Sequence, residues 1–228
     1  MARLPRYSIR NQPQHIIQRG LEGLDIFIDN DDYIFYWACL VDAAKANHLK
    51  VHAYILMPNH VHLLASPGEE RSIPKTLQSL GRRYVQHFND NYGNSGTLWE
   101  GRYRATVVDG KDYLLDCSRY IELNGVRAAL VEHPSEYDWS SYAHNALGRK
   151  DPLITEHRLY KKLATWVKPA HNIYQSLFEN HLSTAELEFI RNTTNKGWAM
   201  GDEKFARKIE KSGGRRATQL PRGRPRLS

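Results

Sequence analysis

"YILMPNHVHLLAS", residues 54–66, is the stretch on which the fold turns. Pro58-Asn59 is good turn chemistry, with proline suited to the first central position. The apolar residues on either side then read as two antiparallel strands, so 50–66 is a hairpin. Within it His60 and His62 stand two positions apart in an otherwise apolar run. On a strand, residues i and i+2 share a face, roughly 6.5–7 Å apart along the chain. Val61 then points the other way, into packing. Two readings of the histidines stand at this point: satisfied imidazoles on a half-exposed sheet face, or ligands to one divalent ion.

Outward from the hairpin, the remaining elements fall into a recognisable order. "QHIIQRG" (14–20) has the length of a first strand, and "DNDDYIFYWACLVDAAKANH" (29–48) opens with Asp/Asn caps and continues at helical spacing. A helix follows the hairpin from Ser72 to about Asn89. "RYRATVVD" (102–109) is a fourth strand, and "KDYLLDCSRYIELNGVRAAL" (111–130) a helix closed near Gly125. The order β-α-β-β-α-β, with one extra helix, predicts an α+β fold: a ferredoxin-like split βαβ with a four-stranded antiparallel sheet and helices on one face. "PSEYDWSSY" (134–142) reads as a loop anchored by Trp139. Helical segments are expected at 155–166, 171–180, 183–194 and 202–211. This divides the chain into a domain at 1–150, a helical region at 151–211 and a disordered basic tail at 212–228.

The helix at 111–130 carries the residues that could complete a site with His60 and His62. Tyr120 and Asn124 are spaced i,i+4 and therefore lie on one face. An asparagine carboxamide oxygen can bind a hard cation such as Mg²⁺, and two histidines plus one oxygen leave positions open for substrate oxygens. A tyrosine one turn away can attack a phosphodiester that the metal polarises, helped by Arg119 or Arg127. The competing reading makes Tyr120 a core aromatic and Asn124 a residue at the helix C-terminus. Cys39 and Cys117 are the only cysteines and their spacing suits no structural zinc. His15 and His52, on strands near the sheet, read as structural or as supports for the pair. Tyr84 and Tyr113 are rival tyrosines, each explained as well by helix packing.

"LMPNHVHLL", then "LWEGRYRATVVD", "YLLDCSRYIELNGVRAALVEHP" and "WSSY", resemble the single-tyrosine HUH transposases, the insertion-sequence type. More narrowly, they resemble the REP-associated tyrosine transposase (RAYT) branch. It covers about residues 1–145 and extends more loosely to "GDEKFARKIE…RGRPR". The resemblance implies cleavage and rejoining of single-stranded DNA with Mg²⁺ or Mn²⁺. The family's histidine pair falls on His60 and His62, its nucleophile on Tyr120, and its polar residue one turn later on Asn124. It also implies a 5′-phosphotyrosine intermediate, REP-like palindromic hairpins as DNA partner, and a monomer, with a dimer as the alternative. Gly125 departs from the pattern, where proline is common, and implies a changed helix end. The runner-up is a sequence-specific nucleic-acid-binding protein of the same fold with vestigial catalysis.

Charge supports a polyanionic partner. The chain of 228 residues carries 32 Lys/Arg against 25 Asp/Glu, a net +7. From Lys204 to Ser228 there are nine Lys/Arg against Glu210 alone, a local +8 that leaves −1 for the preceding 203 residues. Such a tail suits DNA, because neutralised phosphates release counterions. "PRGRPR" (221–226) resembles an AT-hook, which would place Arg222, Arg224 and Arg226 in a narrow minor groove. Arg82, Arg83, Arg102 and Arg104, with Arg119 and Arg127, are further candidate DNA contacts. The N-terminus has no signal-peptide character and no stretch is long and apolar enough for a membrane span. The expectation is a soluble cytoplasmic, nucleoid-associated protein.

Overall fold

The computed structural model describes residues 6–218. Four strands, β1 (Gln14–Arg19), β2 (Leu49–Met57), β3 (His60–Pro67) and β4 (Arg104–Val107), form one antiparallel sheet in the order β2-β3-β1-β4. The hairpin turns at Pro58-Asn59, as its sequence requires. Because side chains alternate along a strand, β3 sends Val61 and Leu63 to one face and His60, His62 and Leu64 to the other.

The first face is covered by α1 (Asn30–Ala46) and α2 (Ser72–Tyr92). Helix α1 starts where Asp29 and Asp32 cap one another's backbone amides, at 3.1 and 3.4 Å. Helix α2 ends at Gly93, whose φ of 62° is left-handed and cheap only for glycine. Between them lie Tyr36 and Tyr84, edge to face at 4.9 Å and fully buried, above Leu56 and Leu63. Each such buried side chain contributes roughly 2 kcal/mol of apolar burial.

Helices cover the second face too, contrary to the one-sided expectation. There α3 (Leu114–Glu122) and α4 (Asn124–Arg127) pack on β2 and β3 through Leu114, Cys117, Tyr120 and Ile121. The expected helix at 111–130 is thus two pieces, broken at Leu123 rather than closed at Gly125. Gly125 lies inside the second piece, buried, where a Cβ would come within 3.3 Å of the Tyr137 ring. Its smallness admits that ring.

The segment 134–142 holds a 3₁₀ turn (Pro134–Glu136) before α5 (Tyr142–Asn145), with Trp139 stacked on Tyr33 at 4.9 Å. Helix α6 (Arg158–Lys161) is much shorter than the expected 155–166; α7 (Ala170–Ser176), α8 (Thr184–Lys196) and α9 (Glu203–Gly213) follow. Helix α8 joins α3 on the second face, against β4. Of the tail expected to be disordered, residues 212–218 are described; Ala217 is packed, and Ser212, Gly214, Arg216 and Thr218 are exposed. Gly213 ends α9, the Tyr7 hydroxyl donates to the Arg216 carbonyl at 2.9 Å, and Ala217 is buried and bonded to Ala199 and Glu210. Arg222, Arg224, Arg226 and the AT-hook-like segment lie outside the described residues. No described helix is long and apolar enough to cross a membrane.

Candidate active site

The second sheet face opens into a cavity of about 250 Å³, lined by His60, His62, Tyr120, Asn124 and Arg127 among others. Four residues expected from the sequence to act together, and Arg127 of the candidate DNA-contact arginines, therefore meet in one place. β3 supplies the histidines at one end of the sheet, and α3 and α4 carry Tyr120 and Asn124 across it. The His60 and His62 rings are 4.9 Å apart, and Tyr120 lies 6.2 Å from His62.

Each candidate ligand has one polar atom committed to the fold and another left over. His60 Nδ1 lies 2.6 Å from Asn59 Oδ1, an acceptor, so that nitrogen carries the hydrogen and Nε2 keeps its lone pair. His62 Nδ1 lies 2.8 Å from His15 Nε2, again leaving Nε2. The Asn124 amide donates to the carbonyls of Tyr120 and Ile121 at 3.1 and 3.0 Å, leaving its oxygen. Two imidazole nitrogens and one carboxamide oxygen are a donor set able to hold a divalent cation. No cluster of three or more His, Cys, Asp or Glu that could hold a metal occurs among the described residues, so an asparagine oxygen is needed to complete this one.

The electrostatics favour neutral imidazoles. Burial, then the Arg19 charge, brings the His60 pKa down to about 4. Burial holds His62, 2% exposed, well below the ordinary imidazole value, with His15, His60 and nearby arginines adding to it. His15 falls to about 3 through burial and Arg127. Near neutral pH all three keep lone pairs, as metal binding demands.

Tyr120 is 6% exposed and its ring carries the Arg127 guanidinium 4.1 Å from its centre. Arg127 Nη2 also donates to the Tyr120 carbonyl at 2.6 Å. Burial lowers the guanidinium pKa to about 10, which still leaves it charged. Its Nη1 is buried with no hydrogen-bond partner. An unpartnered cationic donor beside a phenol is suited to an anion.

The other sequence candidates are placed elsewhere. Arg119 is 7% exposed, paired with Asp116 at 3.2 Å and bonded to the Asn180 carbonyl, so it is committed within the fold. Arg104 donates to Asn195 at 3.1 Å at the cavity's edge. Arg82, Arg83 and Arg102 are exposed and do not line the cavity, and Arg83 pairs with Asp42 at 3.2 Å. Tyr84 is a core residue bonded to the Ile26 carbonyl, and Tyr113 packs on Phe189. His52 is structural: it sits at a register shift in β2 and bonds Ser66 and the Thr155 carbonyl at 2.8 and 2.6 Å.

Sequence reasoning missed Arg19, Arg191, Thr194 and Asn195, which also line the cavity, and left His15 between a structural and a supporting role. Arg19 was recoverable: it pairs directly with His60 in the β1–β3 register. Arg191 and Asn195 share a face of α8 at i,i+4 spacing, but no motif ties α8 to the sheet.

Residues 14–124 match the family model described as IS200-like transposase. A solved structure of a REP-associated tyrosine transposase bound to a REP hairpin shares the fold at 15% identity and a TM-score of 0.53, covering 69% of this chain and 93% of that one. A candidate transposase from Deinococcus radiodurans is 22% identical with a TM-score of 0.38, over 54% of this chain and 96% of that one. No curated protein sequence matches the chain. Over residues 14–124, just under half of the chain, the sequence is thus similar to the IS200-like transposases.

Proposed function

We propose that the chain is a metal-dependent single-strand DNA endonuclease and strand transferase of the RAYT branch, acting on REP-like palindromic hairpins. The observation that carries this reading is the convergence on one cavity of three uncommitted ligand atoms, a tyrosine and an unpartnered guanidinium N–H. His60, His62 and Asn124 would hold Mg²⁺ or Mn²⁺, which when bound supplies charge to polarise the scissile phosphate. Arg127 Nη1 binds a phosphate oxygen and stabilises the charge that grows on it. Tyr120 Oη attacks phosphorus as its proton leaves to water. The new Oη–P bond replaces the P–O3′ bond, giving a free 3′-OH and a 5′-phosphotyrosine, and the departing 3′ oxygen takes a proton. Attack by another 3′-OH reverses these changes and rejoins strands without a nucleotide cofactor. Nucleophile and ligands all come from one chain, which supports action as a monomer.

The test uses a hairpin oligonucleotide labelled at its 3′ end. A covalent protein–DNA adduct that requires Mn²⁺ or Mg²⁺ and vanishes in Tyr120→Phe is the expected result. Tight binding with no adduct on any palindromic repeat would favour the nucleic-acid-binding reading with vestigial catalysis.

A further inference from the structure

His15, on β1, is fully buried and bonds on both sides. Its Nε2 lies 2.8 Å from His62 Nδ1 and its Nδ1 lies 3.1 Å from the Thr194 hydroxyl. The two imidazoles stack with centroids 5.0 Å apart, and His15 also meets the Tyr120 ring edge-on at 5.9 Å. Thr194, 1% exposed, belongs to α8, beyond the family match at 14–124. We propose that α8 completes the reaction centre through a Thr194–His15–His62 relay, which holds the His62 ring and fixes Nε2 as its metal-binding nitrogen. The proposal rests on His62 being a metal ligand.

The argument is one of donors and acceptors. A chain of two neutral imidazoles and a hydroxyl can be drawn in only two directions. In one, His62 Nδ1–H donates to His15 Nε2 and His15 Nδ1–H donates to the threonine oxygen, which leaves a lone pair on His62 Nε2. In the other, the hydroxyl donates to His15 Nδ1 and His15 Nε2–H donates to His62 Nδ1, which puts a hydrogen on His62 Nε2 and blocks coordination. A metal on His62 selects the first direction, and Thr194 accepts the hydrogen bond that ends the chain. Without that hydroxyl His15 Nδ1 is unpaired in either direction, but an orphaned buried N–H is worse tolerated than an orphaned lone pair, so the blocking direction gains. His15 and Thr194 are positioning residues: neither lies among the three ligands. Helix α8 is held in place independently, since the Thr106 hydroxyl donates to the Thr193 carbonyl at 3.3 Å and Arg104 to Asn195 at 3.1 Å. Replacing the Thr194 hydroxyl alone therefore tests the relay and not the docking of the helix.

Mn²⁺ binding to the full chain is measured by electron paramagnetic resonance for wild type, Thr194→Val, Thr194→Ser and His62→Ala. Loss of an outer partner of this kind costs about 10–100-fold in metal affinity. Thr194→Val, equal in shape, is expected to weaken Mn²⁺ binding by that factor, Thr194→Ser to restore it, and His62→Ala to abolish it. Wild-type affinity in Thr194→Val, with binding lost in His62→Ala, overturns the relay and leaves the metal site standing. Equal binding by wild type and His62→Ala, or none by either, overturns the metal reading and the relay with it. A second readout needs no variant: ring-nitrogen NMR of the Mg²⁺-loaded wild type is expected to show hydrogens on Nδ1 of both His15 and His62. A hydrogen on Nε2 of His15 in that state overturns the proposal even if Thr194→Val does not fold.

Discussion

Arg127 touches Tyr120 twice, through its ring and its carbonyl, and still has its buried Nη1 to spare. If that nitrogen meets the phosphate as charge develops, Arg127→Met keeps most of the packing and loses the donor. Single-turnover cleavage should then fall about 10²–10³-fold, the usual cost of removing such a group, with Mn²⁺ affinity little changed. A cleavage rate within a few-fold of wild type would remove Arg127 from the reaction. Asn124 allows a sharper test, because both ends of its carboxamide have work. Asn124→Asp keeps a ligand oxygen but has no hydrogen for the Tyr120 and Ile121 carbonyls, now 3.1 and 3.0 Å away. The metal-free variant should lose about 1–3 kcal/mol of stability, because a carboxylate replaces the amide donor against those two carbonyl oxygens, of which only that of Tyr120 keeps a side-chain donor, Arg127; the loss is read as a lower melting temperature in chelator. An unchanged melting temperature would show that the two amide bonds are dispensable. These residues were legible for physical reasons: strand and helix periodicity put His60 with His62 and Tyr120 with Asn124. His15 was harder to place, because its two partners come from β3 and from a helix 179 positions away.

Elements were legible where their signals are local. The Pro58-Asn59 turn, the Asp29 cap and the glycine ending α2 act within a few residues, and the sheet follows from their order. What local signals do not carry is the face on which a helix lands. Helices α3 and α8 cover the sheet opposite α1 and α2, a choice made by tertiary packing of Leu114, Ile121 and Ile190 against Ile55 and Leu64. The break at Leu123 escaped notice because nothing in "YIELNGV" resembles a breaker except Gly125, and that glycine serves Tyr137 instead. Docking of α8 brings Arg191 to the cavity, exposed and with no ion pair among the described residues. An arginine so placed should contact one phosphate of a single strand. Arg191→Ala is expected to weaken single-stranded DNA binding and to make the slope of log K against log salt shallower by about 0.7. Weaker binding with an unchanged slope would mean that Arg191 supports the cavity wall and makes no phosphate contact.

Across the whole molecule, the burial that keeps the imidazoles neutral has a consequence for acid stability. His15 at about 3, and His52 and His60 at about 4, stay neutral in the fold far below the pH at which they charge in an unfolded chain. Between pH 6.5 and these values the unfolded state binds more protons, so stability is lost as pH falls. Each contributes a loss of about 2 kcal/mol between pH 7 and pH 5, and His62 acts in the same direction. Glu122 opposes them. Burial raises its carboxyl to about 7 despite bonds from Ser141, Asn145 and Tyr174 at 2.5, 2.8 and 2.8 Å. Here the folded state binds the proton first, so acidification through pH 7 returns about 2 kcal/mol. Three imidazoles outweigh one carboxyl, and the net loss by pH 5 is about 3–4 kcal/mol, a large share of a typical domain's stability. In chelator, the urea midpoint should therefore drop between pH 7 and pH 5, and drop further in Glu122→Gln, which lacks the opposing group. An equal midpoint at the two pH values would show that the fold opens enough to let water and protons reach these histidines.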